Sequence, residues 1–146
     1  MKILEAQNAL LSNFEVYQFL AERQERLGKQ KQNRRRGPGN LETLVHELLQ
    51  YFRSPPGPLS QQPVTYTSEA VTTLVERLRG YDLAKGELLM ILNMRPQMPA
   101  HLHACVEEVE SRLTEQQQLE ILDIVAEVLG AFPVVEGAEE EMEDAQ

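Results

Sequence analysis

A chain of 146 residues with 42% hydrophobic content makes one domain, or one domain plus an attached segment, and can bury a real core. It has no Trp and few aromatics, so that core is mainly aliphatic, and no run approaches the ~20 apolar residues of a membrane span. The net charge of −9 is unevenly spread: residues 23–36 carry seven Lys and Arg against one Glu, while residues 101–146 carry thirteen Asp and Glu against one Arg. Such asymmetry points to segments with separate electrostatic roles.

Residues 1–11, with Ile3, Leu4, Leu10 and Leu11, are apolar enough to bury and too short for a core of their own. They read as a strand or as the start of a helix. A lone extended segment adds to another protein's sheet; the alternative is a terminus packed on its own domain. Residues 1–16 carry Glu5 and Glu15 and no continuous apolar region, so the N-terminus does not read as a signal peptide. Ser12-Asn13-Phe14-Glu15 is a capping box, in which the serine accepts a helical N–H and the glutamate reaches back. A first helix then runs to about Leu27, and Val16, Tyr17, Phe19, Leu20 and Ala21 give it an apolar face broad enough for more than one neighbour.

Residues 28–39 are polar, basic and bounded by Gly and Pro, which reads as an exposed loop. Lys29, Lys31, Arg34, Arg35 and Arg36 there are either simply solvated or serve as an import signal or anion contact. The aromatic residues that would stack on bases are absent from the loop. Asn40 caps a second helix whose Leu41, Leu44, Val45, Leu48, Leu49 and Phe52 follow helical spacing without a miss. Four prolines between Ser54 and Tyr66 make a linker, partly extended. The expected division is a partner-docking segment over 1–53, a linker over 54–65, a helical domain over 66–130 and an acidic tail over 131–146.

Within the helical domain, Thr67 or Ser68 caps a third helix with Val71, Leu74, Val75 and Leu78 inward, ended by Gly80. A fourth helix holds Leu88 to Leu92 and stops at a corner, Asn93-Met94-Arg95-Pro96. Pro96 cannot donate an N–H and biases Arg95 away from the helix, and Asn93 is the residue expected to take left-handed geometry. Arg95 is expected to meet Glu107 or Glu108, or the carbonyls that end the fourth helix. A fifth helix is expected over 99–112, with Leu102, Val106 and Val109, and Leu113 beyond them, on one stripe. Thr114-Glu115-Gln116-Gln117 is a second capping box and opens a sixth helix, closed by Gly130 and Pro133. The fold class is therefore all-α, preceded by a strand or helix segment that docks on a partner.

The sequence offers no catalytic constellation. His101 and His103 are two apart on a helix and point about 200° from each other, so they cannot share a metal. Glu107, Glu108 and Glu110 spread around their helix as a solvated acidic face, and there is no glycine-rich phosphate loop. The single cysteine, Cys105, cannot form an internal disulfide, which fits a reducing compartment. A non-catalytic interaction protein without cofactor or metal remains.

Two blocks carry a resemblance. The first is Ala9 to Val16, ALLSNFEV; the second is Leu92-Asn93-Met94-Arg95-Pro96, followed by Val106-Glu107-Glu108 and by Glu110 to Gln116. Their order and spacing resemble the smaller stalk subunits of RNA polymerase III, a family also known in animals as calcitonin gene-related peptide receptor component proteins. The chain is similar more distantly to the corresponding small stalk subunits of archaeal RNA polymerase and of RNA polymerase II. The resemblance covers about 1–130. It departs after the Arg-Pro corner, where the family has a threonine-like cap and an acidic residue and this chain has Met98, Pro99 and His101.

The resemblance implies an HRDC-like C-terminal domain and a heterodimer with a larger, OB-fold-containing stalk subunit. It implies docking through Ile3, Leu4, Leu10, Leu11, Phe14, Tyr17 and Leu20, with Asn93, Arg95 and Pro96 as a structural corner. It further implies a place on the RNA polymerase III core, contact with an initiation factor, and the nucleus as location. Thirteen acidic residues near the C-terminus repel phosphates, so little direct nucleic-acid contact is expected. The alternatives are a soluble accessory protein of a membrane peptide receptor and an HRDC-type nucleic-acid-binding module using the basic loop.

Overall fold

The computed structural model describes Leu4 and residues 9–29 and 39–132. These residues form α1 (Asn13–Lys29), α2 (Gly39–Phe52), a 3-10 turn (Pro58–Ser60), α3 (Ser68–Leu78), α4 (Lys85–Met94), α5 (Pro99–His103), α6 (Val109–Arg112) and α7 (Glu115–Leu129). No strand occurs among the described residues. The segment that read as a strand or a helix start lies outside them over residues 1–3 and 5–8, and Leu4 is exposed.

Local chemistry sets the helix ends. Ser12 N–H donates to Glu15 Oε2 at 2.7 Å and Glu15 N–H donates to Ser12 Oγ at 3.2 Å, so the first capping box closes. The second closes between Thr114 and Gln117. Thr67 caps α3 by accepting from Ala70 N–H. α1 and α2 pair antiparallel: Tyr17 stands edge-on to Phe52 at 6.2 Å near one end, and Arg23 meets Glu42 at 2.9 Å toward the other. α3 and α7 also run antiparallel, with Thr65 beside Leu129 and Tyr81 beside Glu120.

One aliphatic core joins these pieces. Leu74, Leu78, Ile91, Leu102, Ile121 and Leu129 are essentially inaccessible at its centre, and Phe14 and Phe52 from the N-terminal helices enter the same cluster. The Pro-rich segment between them is not a spacer in solvent. Its 3-10 turn buries Leu59, and Tyr66 at its end is buried too. Of the expected α2 stripe, Val45, Leu49 and Phe52 are buried and Leu48 half-buried, whereas Leu41 and Leu44 are exposed.

Three local expectations are corrected. Asn93 does not turn left-handed; it stays inside α4, and Arg95 takes the left-handed conformation at φ 48°. The proline explains this, because it displaces the residue immediately before it. Of the expected partners Arg95 meets only the end of α4, where its backbone N–H donates to Ile91 O at 2.8 Å; its side chain meets neither Glu107 nor Glu108. It is buried, and its Nη1 donates to Leu129 O at the end of α7 and, longer, to Thr65 Oγ1. The helix expected over 99–112 is broken into α5 and α6 by a turn in which Glu108 has φ 48°.

The break has an electrostatic cause. Glu87 Oε1 accepts from Glu107 N–H at 3.1 Å, and Arg112 Nη1 donates both to Glu107 O and to Glu87 Oε1. The backbone that a continuous helix would use is thus engaged from the side. The apolar pattern survives the break, since Leu102, Val106, Val109 and Leu113 are all buried.

That pair makes stability acid-sensitive. The hydrogen bond from Arg112 holds the Glu87 carboxyl at about 2, against an ordinary 4.5. A depressed folded-state value stabilises fully above 4.5 and is lost as pH falls towards 2. For a pair at the protein surface the effect is about 1 kcal/mol. Glu87→Gln should therefore be less stable than the parent near pH 6, and the gap between their urea midpoints should close by pH 2. A gap that stays constant over that range would show that the charge of Glu87 contributes nothing.

Candidate protein-docking surface

The two sequence blocks separated by about eighty residues meet at one joint. Asn13 N–H, an orphan donor at the start of α1, donates to Asn93 Oδ1 at 2.8 Å. Beside it the Phe14 ring packs on Tyr66 with centroids 5.8 Å apart, and the Tyr66 hydroxyl donates to Leu92 O at 2.8 Å. Burial pushes the Tyr66 hydroxyl far above its ordinary value, so it stays a neutral donor. The joint thus couples the N-terminus of α1 to the C-terminus of α4 through a side-chain amide and a phenol.

Behind the joint lies a second clamp. The Arg95 guanidinium stacks on Phe132 at 3.8 Å while holding the last carbonyl of α7. Gly130 next to it has φ 79°, and a Cβ there would stand 3.3 Å from the Thr65 methyl, so both backbone and space call for glycine.

On the outer side the joint opens into a cleft of about 210 Å³, lined among others by Phe14, Tyr51, Pro55, Pro56, Tyr66 and Met94. Apolar side chains stand out in solvent on the elements around it: Leu10 is 67% exposed, Leu11 58%, Phe19 60%, Leu44 59% and Tyr51 69%. Scattered single apolar residues are ordinary; this many on two paired helices and the strap leading into them leave apolar area for a protein partner to cover, with Tyr51 at the cleft itself.

The sequence-derived docking residues divide. Leu4, Leu10 and Leu11 face solvent. Phe14 is buried in the chain's own core, and Tyr17 and Leu20 are half-buried. Ile3, Lys31, Arg34, Arg35, Arg36 and the side chain of Lys29 lie outside the described residues. Pro96 and Arg95 are fully buried, and Asn93 serves the joint.

Leu41, Leu44 and Tyr51 were missed as surface. The signal was present: on a helical wheel they form a band beside Val45, Leu49 and Phe52, and an apolar face that wide serves two neighbours. Arg112 was missed as well, because its partners Glu87 and Asp82 are distant in sequence.

Burial raises the Cys105 thiol above its ordinary value, which keeps it protonated and inert. Among the described residues no group of His, Cys, Asp and Glu is placed to hold a metal ion, and no helix is long and apolar enough to cross a membrane.

The described residues thus make an all-helical fold with exposed apolar side chains beside a polar joint. The sequence profile of the RNA polymerase Rpb4 family matches residues 10–129, and the chain belongs to that family. It is 31% identical over 137 residues to the DNA-directed RNA polymerase III subunit rpc9 of Schizosaccharomyces pombe, with 91% of this chain and all of that protein covered. It is 25% identical to the DNA-directed RNA polymerase III subunit RPC9 of Saccharomyces cerevisiae, over 86% of this chain and 98% of that one. A Dictyostelium discoideum protein, DNA-directed RNA polymerase III subunit rpc9, is 27% identical over 92% of this chain and 95% of its own length.

Proposed function

We propose that the chain is the smaller, non-catalytic stalk subunit of RNA polymerase III. It pairs with the larger OB-fold stalk subunit and, with it, supports transcription initiation in the nucleus through an initiation factor. In this reading the helices of 66–130 are an HRDC-like module and residues 1–53 are the principal docking segment. The names and near-complete coverage of its relatives support the polymerase assignment. The observation that carries the docking reading is the solvent-facing apolar set at Leu10, Leu11, Phe19, Leu44 and Tyr51, with a cleft nearby that the described residues leave open.

The chain's contribution is binding free energy and positioning. Burying a few large apolar anchors dominates the energetics of such interfaces. Leu10→Asp combined with Leu11→Asp should weaken pairing with the co-expressed larger subunit on the order of 100-fold, about 3 kcal/mol. Both residues are exposed, so the isolated variant should keep its helical circular dichroism. Co-purification at unchanged stoichiometry and affinity would overturn the docking reading.

A further inference from the structure

A second surface lies at α5, α6 and the start of α7, and none of its lining residues belongs to the cleft described above. Two hollows share His103 and Glu110 and so form one open groove, about 670 Å³ on one side and about 390 Å³ on the other. The broken helix creates it. The left-handed turn at Glu108 separates α5 from α6, and the space a continuous helix would occupy stays open.

Val106, Val109 and Leu113 lie beneath it but are 3% exposed each, so the apolar area on offer is chiefly Leu119, 53% exposed on the far wall. Gln118 stiffens that wall: its Nε2 donates to Leu113 O, and its Oε1 lies 3.1 Å from His103 Nε2. Carboxylates ring the groove. Glu108 and Glu110 are exposed, and neither engages a base among the described residues; Glu115 is exposed too and sits in the first turn of α7, where it complements the helix dipole. From residue 99 to residue 129 the only Lys or Arg is Arg112, and it is engaged by Glu87 and Asp82. The rim therefore has no basic group free to neutralise it among the described residues.

We infer that this groove is a docking site for a basic amphipathic segment of a protein partner. Such a segment would place one large apolar side chain against Leu119, with Lys or Arg flanking it towards Glu108 and Glu110. Charge complementarity selects the occupant: a phosphate-bearing ligand would be repelled by the same rim, and an acidic or neutral peptide would leave the carboxylates unanswered. The inference rests on the groove alone and does not depend on the polymerase assignment.

The test uses the full chain and a fluorescein-labelled peptide of fourteen residues, made of leucine with lysine and arginine at helical spacing. A matched peptide has glutamate at every basic position. The basic peptide should bind with strong salt dependence, and the acidic one should not bind. Glu108→Lys, Glu110→Lys and Glu115→Gln together should weaken binding by at least about tenfold, since rim charges set the attraction.

Leu119→Ser leaves the charge unchanged and should weaken binding roughly fivefold, in proportion to the apolar area removed from the groove wall. All four positions are exposed, so both variants should keep the parent circular dichroism, the triple variant melting slightly lower because it removes acidic residues from the starts of α6 and α7. Undiminished binding by the triple variant would assign the attraction to the acidic residues beyond 132 and overturn the proposal. An unchanged affinity for Leu119→Ser would overturn the groove and leave only long-range charge.

Discussion

Arg95→Ala should lower the stability of the chain by about 3 kcal/mol, more than any exposed substitution named above. The side chain is 1% exposed, so its removal empties a buried volume. A charge-assisted hydrogen bond to Leu129 O at 3.2 Å disappears with it, as does the stacking on Phe132. The Leu129 carbonyl, an acceptor without a helical donor, keeps the hydrogen bond from Thr65 Oγ1 at 2.6 Å but loses its charged donor. One consideration limits the loss: Nε and Nη2 have no hydrogen-bond partner among the described residues, so the buried arginine is not fully compensated where it stands. Arg95→Met fills most of the space without the donors and should cost about half as much, separating packing from hydrogen bonding. Urea unfolding followed by circular dichroism reads both. A loss under about 1 kcal/mol for Arg95→Ala would show that the clamp is unimportant and that Gly130 and Thr65 close the end of α7 alone.

The same residue shows where sequence reasoning stops. Its corner was legible, because Pro96 forbids a helical donor and forces the chain to turn. Its partners were not, because the α7 end and Thr65 lie about thirty residues away on either side and no local rule links them. Helix starts were legible wherever a side chain within four positions supplies the cap, as at Ser12, Thr67 and Thr114. The split of α5 from α6 was not, since the apolar spacing runs through it unbroken and the cause is Glu87, twenty residues upstream. Periodicity likewise placed Leu41 and Leu44 on an apolar face but could not tell whether that face meets the chain's own core or a partner. The joint between Asn13 and Asn93 brings together the two separated blocks that carry the family resemblance.

Leu92→Asp should unfold the whole described core, and the completeness of the loss is the informative part. Leu92 is 6% exposed on α4 in an aliphatic cluster, and the buried cation three residues on, Arg95, is already committed to Leu129 O and the Phe132 ring. An unpaired buried carboxylate costs several kcal/mol, comparable with the ~5–15 kcal/mol that holds a domain of this size together. The sequence divides the chain at its prolines, which would leave α1 and α2 folded when the C-terminal helices melt. The packing argues otherwise. Phe14 on α1, Phe52 on α2, Leu59 in the proline segment and Tyr66 after it all belong to the cluster that contains Leu92. The Tyr66 hydroxyl bonds the carbonyl of Leu92 itself, and the neighbouring Asn93 caps the start of α1. A side chain at this junction cannot fail without releasing both halves. The expected result is loss of nearly all helical circular dichroism at 25 °C, with the amide signals of α1 and α2 collapsing alongside those of α3 and α7. Persistence of native amide shifts in α1 and α2 would show two independently folding units, and the cluster would then be a contact between them rather than a common core.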